Sequence, residues 1–159
     1  MDSARSQDWL EQQFMDIWRT YFPDVDQVNE VCIRFVKESK TRLGWISLSL
    51  SGRSTLIGIN RLLSNQDMPL HVCEITIAHE IAHYAHGFGS PLPRKYADPH
   101  ANGIVEQELE ARGLGPVLAI YQEWTETQWN SWVRRNAALR QGLTHAVELV
   151  ATGGQRQHG

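Results

Sequence analysis

The sequence is poor in cysteine, in excess charge of either sign and in long apolar runs, and each shortage removes a class of protein. Of 159 residues only Cys32 and Cys73 are cysteine. They form no closely spaced pair, so neither a disulfide framework nor a Cys-rich zinc ribbon can be built. Two unpaired cysteines suit a reducing compartment, and both read as small core residues. The formal net charge is −3, which gives no general attraction to a polyanion. No apolar run approaches the roughly 18 residues that a membrane span needs. Residues 1–8, Met-Asp-Ser-Ala-Arg-Ser-Gln-Asp, are polar throughout and show no signal-peptide pattern. A cytoplasmic location without a membrane partner is expected. No internal repeat is present. The length fits one domain over 1–152 that buries its core without staples, with a helical extension from about 116 to 152. Residues 153–159 read as a disordered tail.

The charge is unevenly spread. Residues 1–30 hold Asp2, Asp8, Glu11, Asp16, Asp24, Asp26 and Glu30 against Arg5 and Arg19. Residues 31–66 hold Arg34, Lys37, Lys40, Arg42, Arg53 and Arg61 against Glu38. A basic sheet face toward an anion is one reading. A solvated sheet surface balancing an acidic first helix is the simpler one, and it leaves nucleic acid weakly supported as a partner.

Periodicity gives the elements. Leu10, Phe14, Ile17, Trp18 and Tyr21 form a wide helical stripe ended by Pro23. Residues 31–36 and 43–50 alternate as strands, 51–54 read as a hairpin turn, and 55–62 as a third strand. That third strand is the candidate free edge for an extended peptide, since an edge offers unpaired backbone groups. Residues 70–86 read as a helix, with Asp67 a candidate cap, Pro69 in the first turn and Gly87 past the end. The glycines and prolines of 87–99 forbid regular structure there. A loop of this kind reads as a wall or lid, with Arg94, Lys95 and Tyr96 as ordinary exposed residues. From Pro116 onward the chain is helical, and Trp124, Trp129 and Trp132 recur at spacing that fits core packing better than a base-stacking platform.

The chemistry lies in His79-Glu80-Ile81-Ala82-His83. Histidines four apart lie on one face of a helix, where both imidazoles can reach one metal ion. The glutamate between them can take a proton from a water that zinc has acidified. With 7 His in the chain, composition alone produces the pattern in roughly 2% of such sequences. A catalytic zinc commonly takes three protein ligands. His86 shares the face but lies seven positions from His79, about 10.5 Å along a helix, too far for one ion. Cys73 is poorly placed. His100 would complete a His₃ set; Glu106 or Glu108 would complete His₂Glu.

These features resemble the SprT-like zinc metallopeptidases, which include the Spartan-type proteases. The resemblance covers about residues 14–118. It rests on Tyr21-Phe22-Pro23, Arg42-Leu43-Gly44-Trp45-Ile46, residues 57–63 with Asn60, the zinc helix, Asp98-Pro99-His100, and a helix closing at residues 112–116. The resemblance implies His100 as third ligand beside His79 and His83. It implies Glu80 as general base, one zinc per chain, and a protein or peptide substrate. The family's glycine after the third ligand is replaced here by Ala101-Asn102-Gly103, and the ribbon that often follows the core cannot exist. The expected fold is α+β: an N-terminal helix, a three-stranded antiparallel sheet, the zinc helix, the ligand loop, then C-terminal helices. Asp98 and Glu108 are expected to orient the imidazoles. The expected function is a zinc-dependent endopeptidase. A non-catalytic zinc-stabilised module acting on DNA-bound proteins and a hydrolase of non-peptide amides are the alternatives; Glu80, which a structural site does not need, favours the enzyme.

Overall fold

The computed structural model describes residues 4–136. Its α+β fold runs α1 (Gln7–Tyr21), β1 (Glu30–Val36), β2 (Gly44–Leu48), β3 (Ser54–Asn60), α2 (Leu70–Ala85), α3 (Ile104–Ala111) and α4 (Gly115–Thr127). A further helix, α5, occupies 129–136. Short 3₁₀ turns at Arg61–Ser64 and Ala101–Gly103 join elements. The expected tail at 153–159 and the helical extension beyond 136 lie outside the described residues.

Helix α1 forms where its stripe predicts. The Ser6 hydroxyl accepts from the Trp9 amide at 3.0 Å and caps the first turn. Leu10, Phe14, Ile17 and Trp18 are buried, each contributing about 1.5–3 kcal/mol relative to exposure. Arg5 clips the segment before it: its guanidinium donates to the Met68 carbonyl at 2.6 Å and to Cys73 Sγ at 3.1 Å.

The sheet corrects the expected antiparallel arrangement. Its order is β1-β3-β2; β3 pairs antiparallel with β2 and parallel with β1. The last strand in sequence therefore inserts between the first two. The physical reason lies in β3 itself. Ile57 and Ile59 are fully buried, and Gly58 and Asn60 are buried beside them. A strand covered on both faces belongs at the centre. The third strand is thus interior, and the free edge expected over 55–62 falls instead on β2.

Register shows which β2 groups are free. Asn60 N–H donates to the Leu43 carbonyl at 2.8 Å, and Ser49 N–H to the Ser54 carbonyl at 2.9 Å. Odd-numbered residues of β2 therefore bond β3, and the N–H and C=O of Gly44, Ile46 and Leu48 point outward. Among the described residues no strand pairs with that edge. The same three residues stand opposite Ile59, Ile57 and Thr55, so their side chains share the face that α2 covers.

Helix α2 is the centre of the fold, and twelve of its residues are buried, from Val72 to Ala85. Asp67 is not its cap; Pro69 opens the helix without a side-chain cap. The helix ends as expected at Gly87, at φ +84°. Gly87 N–H donates to the Tyr84 carbonyl and Phe88 N–H to the His83 carbonyl, the paired bonds of a left-handed helix end.

A polar frame ties α1 to α3. Arg112 donates to Glu108 Oε2 at 2.9 Å, to both Asp24 oxygens at 2.6 and 3.1 Å, and to the Tyr21 carbonyl at 2.8 Å. Its guanidinium also lies 4.4 Å from the Phe22 ring centroid. The bond from Arg112 holds the Asp24 carboxyl below its ordinary range. Removing the guanidinium leaves the part-buried Glu108 Oε2 and the Tyr21 carbonyl without this donor. Arg112→Ala is expected to lower the urea unfolding free energy by about 2–3 kcal/mol. Arg112→Lys recovers only part of it, because an ammonium lacks the planar fork. Metal content should be unchanged in both.

Candidate metal centre and active-site cleft

A cleft of about 400 Å³ opens between the N-terminal half of β2, helix α2, the loop after α2 and helix α4. Thr76, His79, Glu80 and His83 line it from α2, Phe88, Gly89, Pro99 and His100 from the loop, and Tyr121 from α4. Residues 41–44 and Ile46 form the remaining wall.

His79 and His83 come together because they are one helical turn apart, with ring centroids 4.6 Å apart. His100 arrives from the loop. The His100 amide donates to Asp98 Oδ1 at 2.9 Å, so Asp98 shapes the backbone turn that presents the ring. It does not bond the imidazole as expected. The 3₁₀ turn that follows places Asn102 at φ 54° and Gly103 at φ +66°, left-handed positions that asparagine and glycine tolerate best. The His83 and His100 Nε2 atoms are 3.0 Å apart. One ligand atom from each of His79, His83 and His100 lies within 4.8 Å of the others.

The electrostatics suit a cation. Burial, then the neighbouring His100, pushes His79 down to about 4. Burial, then His79 and His100, pushes His83 down to about 3. Both rings are therefore neutral near pH 7 and offer lone pairs. His83 Nδ1 is buried with no hydrogen-bond partner among the described residues. Three converging imidazoles are a donor set that fits zinc and similar divalent ions. The cluster can hold a metal ion.

The glutamates do not join the set. Glu106 acts on His79 only at a distance, through its charge. Glu108 does not orient a metal ligand as expected; its Oε1 takes His86 Nε2 at 2.7 Å. His86, fully buried, is thereby part of the frame around Arg112. The chemical reason is competition: Glu108 is already held by His86 and Arg112.

Glu80 lines the same cleft and is 5% exposed. Burial pushes its carboxyl up to about 8, against the opposing charge of Arg42. The approach of β2 creates that burial. A Cβ at Gly44 would stand 2.8 Å from Glu80 Oε2 and 2.9 Å from Thr76 Cγ2. Glycine at this position leaves room for the carboxylate where it stands.

The loop is pinned. The Gly89 carbonyl accepts from Thr55 Oγ1 at 2.8 Å, and Ser90 Oγ donates to the Tyr84 carbonyl at 2.7 Å. Arg94, Lys95 and Tyr96 are exposed, as the sequence suggests. So is the reading of the tryptophans: Trp132 is buried, and Trp129 stacks on it and donates to the Lys40 carbonyl at 2.9 Å. Sequence reasoning missed Gly44 and Tyr121. Gly44 lies in a quoted segment but carries no side-chain signal, and Tyr121 sits at helical spacing among core residues. Of the basic block, Arg42 alone lines the cleft. No family model matches this chain, and neither a curated protein nor a solved structure matches it.

Two outcomes follow from this geometry. His79→Ala, His83→Ala and His100→Ala should each abolish stoichiometric metal binding measured by atomic emission. Glu106→Ala and Glu108→Ala should retain it.

The second concerns Glu80 in metal-free protein. Its folded value of about 8 lies above the ordinary 4.5. Between these values the folded chain keeps a proton that the unfolded chain has lost, so stability falls as pH rises. Glu80→Gln removes that loss. Metal-free Glu80→Gln should exceed wild type at pH 8 by on the order of a few kcal/mol and match it below pH 4.5. Equal thermal melts at both pH values would contradict the buried placement.

Proposed function

We propose that this chain is a zinc-dependent endopeptidase of the SprT-like type, with His79, His83 and His100 holding one zinc ion and Glu80 as general base. The observation that carries the reading is Glu80: a buried carboxylate, not part of the histidine cluster, that faces the same cleft. A site that served stability alone would have no use for a buried ionisable group there, because burial penalises it. The resemblance in Arg42-Leu43-Gly44-Trp45-Ile46 and Asp98-Pro99-His100 supports the same family.

Bound at the three histidines, zinc would polarise the scissile carbonyl and acidify the attacking water. Glu80 accepts the proton of that water as the new carbon–oxygen bond forms. It then delivers the proton to the amide nitrogen as the carbon–nitrogen bond breaks. Glu80 lines the cleft beside the three histidines, so one carboxylate can both take the proton and return it.

The substrate reading rests on β2. Its free N–H and C=O groups at Gly44, Ile46 and Leu48 can accept an extended peptide as an added strand. Leu48, 39% exposed, and half-buried Ile46 offer apolar contacts on the cleft side. A folded protein rarely presents a free strand, so unfolded or loosely structured polypeptide is the expected substrate. No helix among the described residues is long and apolar enough to cross a membrane.

Wild-type protein with zinc should cleave denatured casein, and a chelator should stop it. Glu80→Gln should keep its zinc and fold while cleavage falls by at least about 10²–10⁴-fold. Gly44→Val should also keep zinc yet lose most cleavage, because its side chain would displace the Glu80 carboxylate. Wild type that stays inert with zinc bound, with and without single-stranded DNA, would favour a non-catalytic zinc module instead.

A further inference from the structure

The cleft contains a polar group that the mechanism above leaves unused. Tyr121 stands on α4, which packs against α2, and lines the cleft. Leu114 and Leu118, buried at 2% and 4% exposure, occupy the same face of the chain. Tyr121 follows at i+7 and i+3 from them, so the apolar stripe ends in a phenol at the cleft wall. Its ring is half-buried. The Thr76 side chain lies against its hydroxyl, and the charges of Glu80 and Glu106 reach it.

We propose that Tyr121 is a second electrophile of this site, donating its phenolic hydrogen bond to the scissile carbonyl oxygen as that oxygen takes up negative charge. The inference rests on the peptidase reading and names a residue that reading does not require. Elimination among the lining groups supports it. Thr76 spends its O–H on the Val72 carbonyl at 2.7 Å. Thr41 is exposed and paired with Ser39 Oγ at 3.4 Å. Arg42 is exposed, its guanidinium 5.4 Å from the Trp45 ring centroid. Among the lining side chains this leaves Tyr121 as the neutral donor carried on a helix. Burial, then the charges of Glu80 and Glu106, pushes its phenol up to about 12, so the donor keeps its proton throughout the working range. A donor aimed at developing charge acts in the transition state and leaves ground-state binding almost untouched.

The test compares zinc-loaded wild type, Tyr121→Phe and Arg42→Ala. Tyr121→Phe keeps the ring and its packing. It should retain one zinc and the wild-type melt. On fluorescein-labelled denatured casein, kcat should fall by about 10²–10³-fold with KM nearly unchanged. Affinity for a phosphinic pseudotripeptide, a tetrahedral anion, should fall by a similar factor in calorimetry. Affinity for the product peptides should stay within about twofold. Cleavage and phosphinate binding unchanged in Tyr121→Phe overturn the inference and leave the peptidase reading intact. The same holds if Arg42→Ala loses both while Tyr121→Phe keeps them. Loss of zinc or of the fold in Tyr121→Phe overturns it too, by making the residue structural. Wild type that neither cleaves casein nor binds the phosphinate removes the peptidase reading and this inference with it.

Discussion

The structure depends on one close contact: β2 laid against α2 over the Glu80 carboxyl, at a strand position without a side chain. A Cβ at Gly44 would meet Glu80 Oε2 at 2.8 Å. That contact removes water from the carboxyl and raises its proton affinity. It also fixes where the free edge of the sheet stands relative to the histidines. A side chain at this position would meet the Glu80 carboxylate and Thr76, and the carboxylate would have to shift. One residue type thus couples the fold to the chemistry.

The third histidine is delivered by different means. It lies on no regular element, so its precision comes from anchors along the loop. Gly87 turns the chain at the end of α2, where a Cβ would run into the Pro93 carbonyl. Lys95 N–H then donates to the His86 carbonyl at 3.0 Å, folding the loop back on the helix. Phe88 packs at the cleft floor, 6.3 Å from the His83 ring centroid, and Arg94 caps its outer face at 5.1 Å. The Asp98 turn completes the path. A loop held at this many points can present a ligand within the tolerance a metal requires.

The frame of His86, Glu108, Arg112 and Asp24 explains how the molecule keeps competing ligands away from the centre. Burial alone would raise Glu108, but bonds from His86 and Arg112 outweigh it and keep the carboxylate ionised. A carboxylate so engaged is unavailable to a metal. His86 is likewise committed. The frame therefore supports the ends of α1, α2 and α3 and separates structural from chemical polar groups.

Much of this was legible in the chain. The stripe of α1, the left-handed end at Gly87, the pairing of His79 with His83 and the α+β class follow from local rules of period and backbone conformation, which act over a few residues. The partner of a strand is a long-range choice. Alternation showed three strands but could not show that the third would be buried between the other two, which leaves β2 at an edge. The role of Glu108 was equally hidden, because a glutamate near a histidine motif reads as a ligand until its actual neighbours are known. Gly44 and Tyr121 carry no local signal, since one has no side chain and the other matches core spacing. The sequence by itself determined which residues were candidates to hold a metal. Only the tertiary structure decided which of them meet, because the contacts that bury Glu80, bring His100 to His83 and turn Tyr121 toward the cleft join segments far apart in the chain.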